Sequence, residues 1–265
     1  MKLGFIGTGN MASAIMGGII KNNVIPAEEI IGADLFAPGR ERAQKEYGIN
    51  VTADNKEVAQ KAETIILSVK PQFYESVIAD IKDVVTDKQI IITIAPGKTL
   101  AWLAEQFGKD VKIVRTMPNT PAMVGEGMTA VCPNEHLTED EIAYVKSLLE
   151  SFSRAEIVPE RLMDVVTAVS GSSPAYVFMF IEAMADAAVA DGMPRAQAYE
   201  MAAQSVLGSA KMVLETGKHP GELKDMVCSP AGTTIEAVRV LEEKGFRSAV
   251  IEAMKACVKK AKEMS

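Results

Sequence analysis

A short apolar run, Leu3-Gly4-Phe5-Ile6, passes directly into Gly7-Thr8-Gly9-Asn10-Met11-Ala12 and then into the amphipathic stretch Met11–Lys21. A strand, a glycine turn and a helix in that order leave few folds open. In a G-x-G-x-x-A turn, Gly7 permits the tight reversal and Gly9 lets the backbone approach a bound anion, while Ala12 allows the helix to lie close on the strand. The unpaired N–H groups at the helix start then point at the turn and suit a pyrophosphate. Asn10 and Met11 complete this candidate cofactor-binding turn.

The chain beyond Lys21 extends the same plan. Short Ile- and Val-rich runs at Ile30–Ala33, Thr64–Val69, Gln89–Ile94 and Lys112–Arg115 alternate with helical stretches at Arg40–Glu46, Gln72–Ile81, Leu100–Gln106 and Glu139–Ser151. Alternation of this kind predicts a parallel sheet covered on both faces. After about Arg161 the strand signal stops. Pro174–Ala190, Arg195–Glu215, Gly221–Val227, Thr233–Leu241 and Phe246–Glu263 read as helices separated by Gly- and Pro-containing turns. The expected fold is α/β: a doubly wound, Rossmann-type, mostly parallel sheet domain over residues 1–160, then an all-helical domain over residues 161–265. Ala175, Val177, Phe178, Met179, Phe180 and Ile181 are too apolar for a helix with one buried face, so either a second copy of the chain covers the other, which is the expectation, or the helix is the central core helix of a monomer.

The charge balance excludes several partners. Twenty-eight Lys and Arg against 35 Asp and Glu give a net charge of −7, which repels nucleic acid and anionic membrane surfaces. Cys132, Cys228 and Cys257 stand far apart and there are two histidines, His136 and His219, so reduced thiols and no metal are expected. Met11–Ile20 could pass for a signal-peptide core but follows a strand-like run and a glycine turn, and no stretch of about 20 apolar residues is expected to span a bilayer, which makes a cytoplasmic location the expectation.

Four further segments leave the carboxyl ends of strands, where open α/β sheets bind ligands. Asp34 lies 25 residues beyond Gly9, at the end of the second strand, and is a candidate acceptor for ribose hydroxyls or a cap for the next turn. A carboxylate there favours NADH over NADPH, and Arg40 and Arg42 offset part of that preference. Val69, Lys70, Pro71 and Ala95 come from the next two loops, with Lys70 available to a phosphate or carboxylate. Arg115–Pro121, which contains Asn119, reads as a stiff loop that forms either a wall at the nicotinamide end or a rigid linker.

The helical half has two turns rich in small hydroxyl residues, Ser170-Gly-Ser-Ser-Pro-Ala-Tyr176 and Cys228-Ser-Pro-Ala-Gly-Thr-Thr-Ile235. A helix start lined by Ser229, Gly232, Thr233 and Thr234 binds a carboxylate through N–H and hydroxyl donors without any basic side chain. A hydroxy-acid dehydrogenase needs a group to take the hydroxyl proton, and no histidine or suitably spaced lysine stands in these turns. A protonated imine needs none. Hydride addition to the imine of a small acid therefore fits best; a β-hydroxyacid dehydrogenase, a dinucleotide-sensing module and a reductase of six-membered cyclic imine acids are the alternatives.

Phe5–Ala12, Val69-Lys-Pro-Gln72, Met117-Pro-Asn-Thr-Pro121, Gly171-Ser-Ser-Pro-Ala-Tyr176 and His219–Asp225 through Ser229–Thr234 together resemble the pyrroline-5-carboxylate reductase family, in order and along nearly the whole chain. The resemblance implies the last step of proline biosynthesis, in which NADPH or NADH reduces 1-pyrroline-5-carboxylate to L-proline. It also implies homodimers joined through the helical domain and gathered into homodecamers. By position, Thr234 is implied as the catalytic hydroxyl on the ring nitrogen. Ser229, Gly232 and Thr233 are implied in the carboxylate-binding turn, and Ser172 and Pro174 beside substrate and nicotinamide. Three residues depart from the family's habit: Ala231 in place of glycine, Pro96 after the fifth strand, and Asp34 in place of a small hydroxyl residue.

Overall fold

The computed structural model describes residues 1–263 of the 265. Its strands are β1 (Leu3–Ile6), β2 (Ile30–Ala33), β3 (Asn50–Thr52), β4 (Thr64–Leu67), β5 (Ile90–Thr93), β6 (Lys112–Met117), β7 (Gly127–Pro133) and β8 (Ser153–Ile157). They form one sheet in the order β3-β2-β1-β4-β5-β6-β7-β8. The first six are parallel, β7 is antiparallel to β6, and β8 runs parallel to β7. All four residues of β1 are buried, as a central strand covered on both faces must be.

Alternation along the strands supplies two cores. Leu3 and Phe5 face α1 (Asn10–Lys21), α2 (Ala37–Tyr47) and α6 (Glu139–Leu149), in a cluster that includes Ile15, Met16, Ile19, Ala43 and Leu148. Ile6, Ile65 and Leu67 face α3 (Asn55–Lys61), α4 (Tyr74–Ile81) and α5 (Leu100–Phe107), meeting Val58, Ile78 and Leu103. The buried positions of α1, Ala12, Ile15, Met16 and Ile19, recur at the spacing that makes one helical stripe. The helix is held down by that stripe, with its N-terminus fixed at the end of β1.

The chain runs outward from β1 through β2 to β3, then returns to place β4 on the other side of β1. Loops leaving β1 and β4 therefore part in opposite directions, and a crevice opens between them at the carboxyl ends of the strands.

The shift in composition near Arg161 does not coincide with the division into compact units. Met163, in α7 (Met163–Val166), is fully buried with Met117, Ala130 and Cys132, so the first unit continues to Ser172 and takes in the chain from Cys257 onward. The second unit, Ser173–Ala256, contains α8 (Ser173–Ala190), α9 (Arg195–Thr216), α10 (Pro220–Val227), α11 (Thr233–Glu243) and most of α12 (Phe246–Lys262). Within it α8 lies along α9, and the rings of Phe180 and Phe246 meet with centroids 6.1 Å apart.

One expectation needs correction. A 310 turn at Glu160–Leu162, α7, a π turn at Thr167–Gly171 and α8 join into a helical run over Glu160–Ala190, 31 residues that are long and apolar enough to cross a membrane by length and composition. The run escaped the sequence reading because Asp164, Ser170, Ser172, Ser173 and Pro174 interrupt its apolar content without ending the helix. Most of its side chains are exposed in the single chain, and Ala185 is the one buried residue of α8.

Candidate active site

A cleft of about 750 Å³ lies in the first unit at the carboxyl ends of the strands. Gly7, Gly9, Asn10 and Met11 line it from the β1–α1 turn, Asp34 from the end of β2, Val69, Lys70 and Pro71 from the loop after β4, and Ala95 from the loop after β5. Nine of the ten expected cofactor residues therefore meet in one place. The tenth, Asn119, does not line the cleft. It is buried, its amide nitrogen donates to the Ser170 carbonyl at 3.0 Å, and its amide oxygen accepts from the Met128 N–H at 2.9 Å. An amide bonded to backbone at both ends braces the chain just beyond β6.

The glycines explain how the turn is shaped. Gly7 has φ +100°, and a Cβ on it would stand 2.7 Å from the carbonyl oxygen of Ser68, so both conformation and space demand glycine. Ser68 fastens the two loops from its own side: its N–H donates to the Ile6 carbonyl at 2.8 Å and its hydroxyl to the Gly7 carbonyl at 2.7 Å. Gly9, the N-cap of α1, has open space where a Cβ would be, and no side chain caps the helix. The first-turn N–H groups of α1 are thus presented beside a gap, the arrangement that receives a phosphate. The Lys70 side chain is exposed at the same cleft.

Several features eluded the sequence reading. Thr8, between the two glycines, is fully buried, and its N–H and hydroxyl both donate to Asp34 Oδ2, at 2.8 and 3.1 Å. Tyr74 is also fully buried, and its hydroxyl donates to the Leu67 carbonyl at 2.6 Å and accepts from the Ile94 N–H at 3.3 Å, bracing the ends of β4 and β5. Burial pushes its phenol well above the ordinary range. Phe73, Pro118, Thr120 and Met123 also line the cleft; nothing in their local pattern distinguished them. The expected loop at Arg115–Pro121 is shorter than it read, because Arg115, Thr116 and Met117 belong to β6. Arg115 is buried and pairs with Glu160 at 2.9 Å, away from the cleft.

The second group of expected residues is in the helical unit. At Ser229-Pro230-Ala231-Gly232 the Gly232 N–H donates to the Ser229 carbonyl at 3.1 Å, closing a turn with Pro230 at its second position. Ala231, at the third, has φ +57°, a left-handed conformation that glycine would take at less cost. A Cβ on Gly232 would stand 2.3 Å from Ser229 Oγ and 3.1 Å from the Ser229 carbonyl oxygen, so any larger residue would turn the Ser229 hydroxyl out of its place. Gly232 is also the N-cap of α11 and supplies no side-chain cap, so the N–H groups of Thr233, Thr234 and Ile235 begin the helix without intrahelical acceptors. Thr233 and Thr234 add hydroxyls at that end, where α11's dipole is positive. Pro174 occupies the first turn of α8, and Ser172, at the end of the first unit, accepts a weak hydrogen bond from the Cys257 thiol at 3.4 Å.

Known proteins share this sequence and geometry. Residues 160–264 match the family described as pyrroline-5-carboxylate reductase dimerisation, and residues 2–97 match NADP oxidoreductase coenzyme F420-dependent. The chain is 53% identical over 268 residues to the pyrroline-5-carboxylate reductase of Escherichia coli K12, covering 100% of this chain and 98% of that one. Among solved structures, a pyrroline-5-carboxylate reductase from Coxiella burnetii superposes with a TM-score of 0.92 at 35% identity, covering 100% and 98% of the two chains. A pyrroline carboxylate reductase from Plasmodium falciparum, with NADP bound, superposes with a TM-score of 0.91 at 34% identity and the same coverage.

Proposed function

The chain belongs to the pyrroline-5-carboxylate reductase family, and from that premise we propose how its residues divide the work. The protein is an NAD(P)H-dependent oxidoreductase that reduces the C=N bond of 1-pyrroline-5-carboxylate to give L-proline. The observation that carries this conclusion is a relationship running the full length of both chains, helical unit included.

A reduced nicotinamide dinucleotide supplies hydride when bound. The cleft suits such a group: Gly9 leaves the space beside α1 open, the α1 N-terminus is uncapped, and Lys70 adds positive charge. Gly7, Gly9, Asn10 and Met11 hold the pyrophosphate in this reading, and Val69, Lys70, Pro71 and Ala95 form the opposite wall. In the helical unit, Ser229, Gly232 and Thr233 hold the substrate carboxylate through backbone N–H and hydroxyl donors at the start of α11. The Thr234 hydroxyl meets the ring nitrogen and keeps the imine oriented. Ser172 and Pro174 border the ring.

No strong base is needed on this route. The imine nitrogen is protonated before reduction and keeps its proton in the product, so the protein's task is orientation and exclusion of water. The uncapped, hydroxyl-lined start of α11 supports that assignment because it binds an anion without placing a full positive charge beside the iminium.

The working form in this reading is a cytoplasmic homodimer joined through the helical unit, with dimers gathered into a homodecamer. Support comes from the apolar side chains that unit leaves in solvent, among them Phe178, Met179, Leu207 and Leu214. The test of function is loss of reduced-cofactor absorbance on adding 1-pyrroline-5-carboxylate, with proline identified as product. Dinucleotide binding without turnover would overturn it.

A further inference from the structure

We propose that Asn119 is a positioning residue: its amide supplies the hydrogen bond that Pro174 withholds from the Ser170 carbonyl, and so fixes where Ser172 stands relative to the wall of the cleft. The proposal rests on the reading in which the cleft holds the dinucleotide and Ser172 borders the substrate.

Pro174 creates the need. It lies inside the continuous helical run Glu160–Ala190, where α-helical spacing would have the Ser170 carbonyl accept from residue 174, and proline has no N–H to give. A proline ring inside a helix also collides with that same carbonyl. The chain meets both demands by widening. Thr167–Gly171 is a π turn, and the Ser172 N–H donates to the Thr167 carbonyl at 2.8 Å. The extra residue makes room for the ring, and the Asn119 amide nitrogen meets the Ser170 carbonyl from outside the helix at 3.0 Å.

Asn119 is placed to transmit position. It is buried, and its amide oxygen accepts from the Met128 N–H of β7 at 2.9 Å, which keeps the side chain from swinging away. Pro118 and Thr120, on either side of it, line the cleft. One residue therefore joins the wall of the cleft, β7 and the π turn. Gly171 lies beside Met117, the last residue of β6, close enough that an added Cβ would stand 3.6 Å from the sulfur. Ser172 follows directly, and its hydroxyl oxygen accepts from the Cys257 thiol at 3.4 Å. Without the Asn119 donor the Ser170 carbonyl is unpaired and the turn loosens, taking Ser172 with it. A misplacement of about 1 Å near reacting groups costs up to about a hundredfold in rate.

The test is a double-mutant cycle in the full-length protein, because Pro174→Ala gives the helix its own N–H for Ser170 and removes the need for Asn119. Asn119→Ala alone is expected to lower kcat for 1-pyrroline-5-carboxylate about tenfold, while NADPH affinity, read from its fluorescence, stays within about twofold of the parent. In the Pro174→Ala background the same change costs about twofold or less. The Met128 N–H loses its acceptor in both backgrounds, so that effect cancels. Should Asn119→Ala not fold, Asn119→Asp, which keeps the acceptor for Met128, takes its place. Should Pro174→Ala not turn over, the cycle is read from thermal unfolding, with a smaller drop in Tm expected in the Pro174→Ala background. Equal losses in the two backgrounds, or an Asn119 variant as fast as the parent, overturn the assignment. A loss confined to NADPH affinity also overturns it, since the side chain then serves the wall of the cleft alone. A parent protein that leaves the fluorescence of both NADH and NADPH unchanged overturns the reading of the cleft itself.

Discussion

The hydroxyl of Tyr74 lies 2.6 Å from the carbonyl oxygen of Leu67, at the last residue of β4, and accepts from the N–H of Ile94 just beyond β5. One phenol thus spans two strand ends that shape the cleft. Tyr74→Phe leaves a buried carbonyl and an N–H unpaired, at a cost of about 1–3 kcal/mol. Denaturant unfolding should show that loss, and KM for the dinucleotide should rise more than kcat falls, since Ile94 and Ala95 line the cleft.

The same residue gives a pH dependence with a definite sign. Tyr74 is held protonated in the fold because burial disfavours its anion, whereas in the unfolded chain it ionises near pH 10. Its contribution is therefore fully present below about pH 10 and is lost as pH rises further, because only the unfolded state gives up the proton. Unfolding free energy of the parent should fall above about pH 10 more steeply than that of Tyr74→Phe. Parallel curves for the two proteins would contradict this.

Ala231 occupies a left-handed conformation at φ +57° without the freedom of glycine. Left-handed backbone costs a non-glycine residue about 1–2 kcal/mol, part of which is offset because alanine restricts the unfolded chain. Ala231→Gly should raise stability by about 0.5–1 kcal/mol in thermal unfolding, and Ala231→Val should lower it. Because the strain is in the turn that starts α11, the glycine variant also tests whether the rigidity of alanine assists turnover: an unchanged kcat means that it does not.

Thr234 is the second residue of α11, with its hydroxyl at the positive end of the helix. If that hydroxyl holds the ring nitrogen during reduction, Thr234→Ala lowers kcat by roughly tenfold to a hundredfold, taking about 1.4 kcal/mol per factor of ten. Thr234→Ser keeps the donor and recovers most of the rate. A Thr234→Ala enzyme as fast as the parent would remove the residue from the chemistry.

Legibility of the fold depends on the strength of local pattern. The run Leu3–Ile6 and the stripe Ala12, Ile15, Met16, Ile19 are continuous enough to declare a buried strand and its helix, and both lie where expected. Asn50–Thr52 and Asn55–Lys61 give no such signal because they are short and polar: β3 sits at the sheet edge, and α3 owes its start to Asp54 accepting from the Lys56 N–H. Gly127–Pro133 and Ser153–Ile157 lack a run of β-branched residues and become strands by pairing with neighbours already in place, β7 against β6 and β8 against β7. The site divides in the same way. Glycine turns and loop positions are local and can be read, whereas the engagement of Asp34 by Thr8 and of Asn119 by Ser170 and Met128 depends on residues brought together across the sheet.

The helical unit has the least core of its own. Its buried apolar side chains are alanines, Ala185, Ala198 and Ala202, while Phe178 and Met179 on α8 are 59% and 69% exposed and Leu207 and Leu214 on α9 are 53% and 63% exposed. Covering a side chain of that size contributes about 1.5–3 kcal/mol, so these four together offer about 6–12 kcal/mol toward the roughly 4–15 kcal/mol that association costs. Phe178→Asp puts a charge in the middle of that surface. If that surface is the seam, light scattering on a sizing column reports a smaller species for the variant than for the parent protein, and reductase activity falls with it. A Phe178→Asp protein that stays oligomeric shows that the seam lies elsewhere on the unit, and a monomer with full activity shows that the site is complete within one chain.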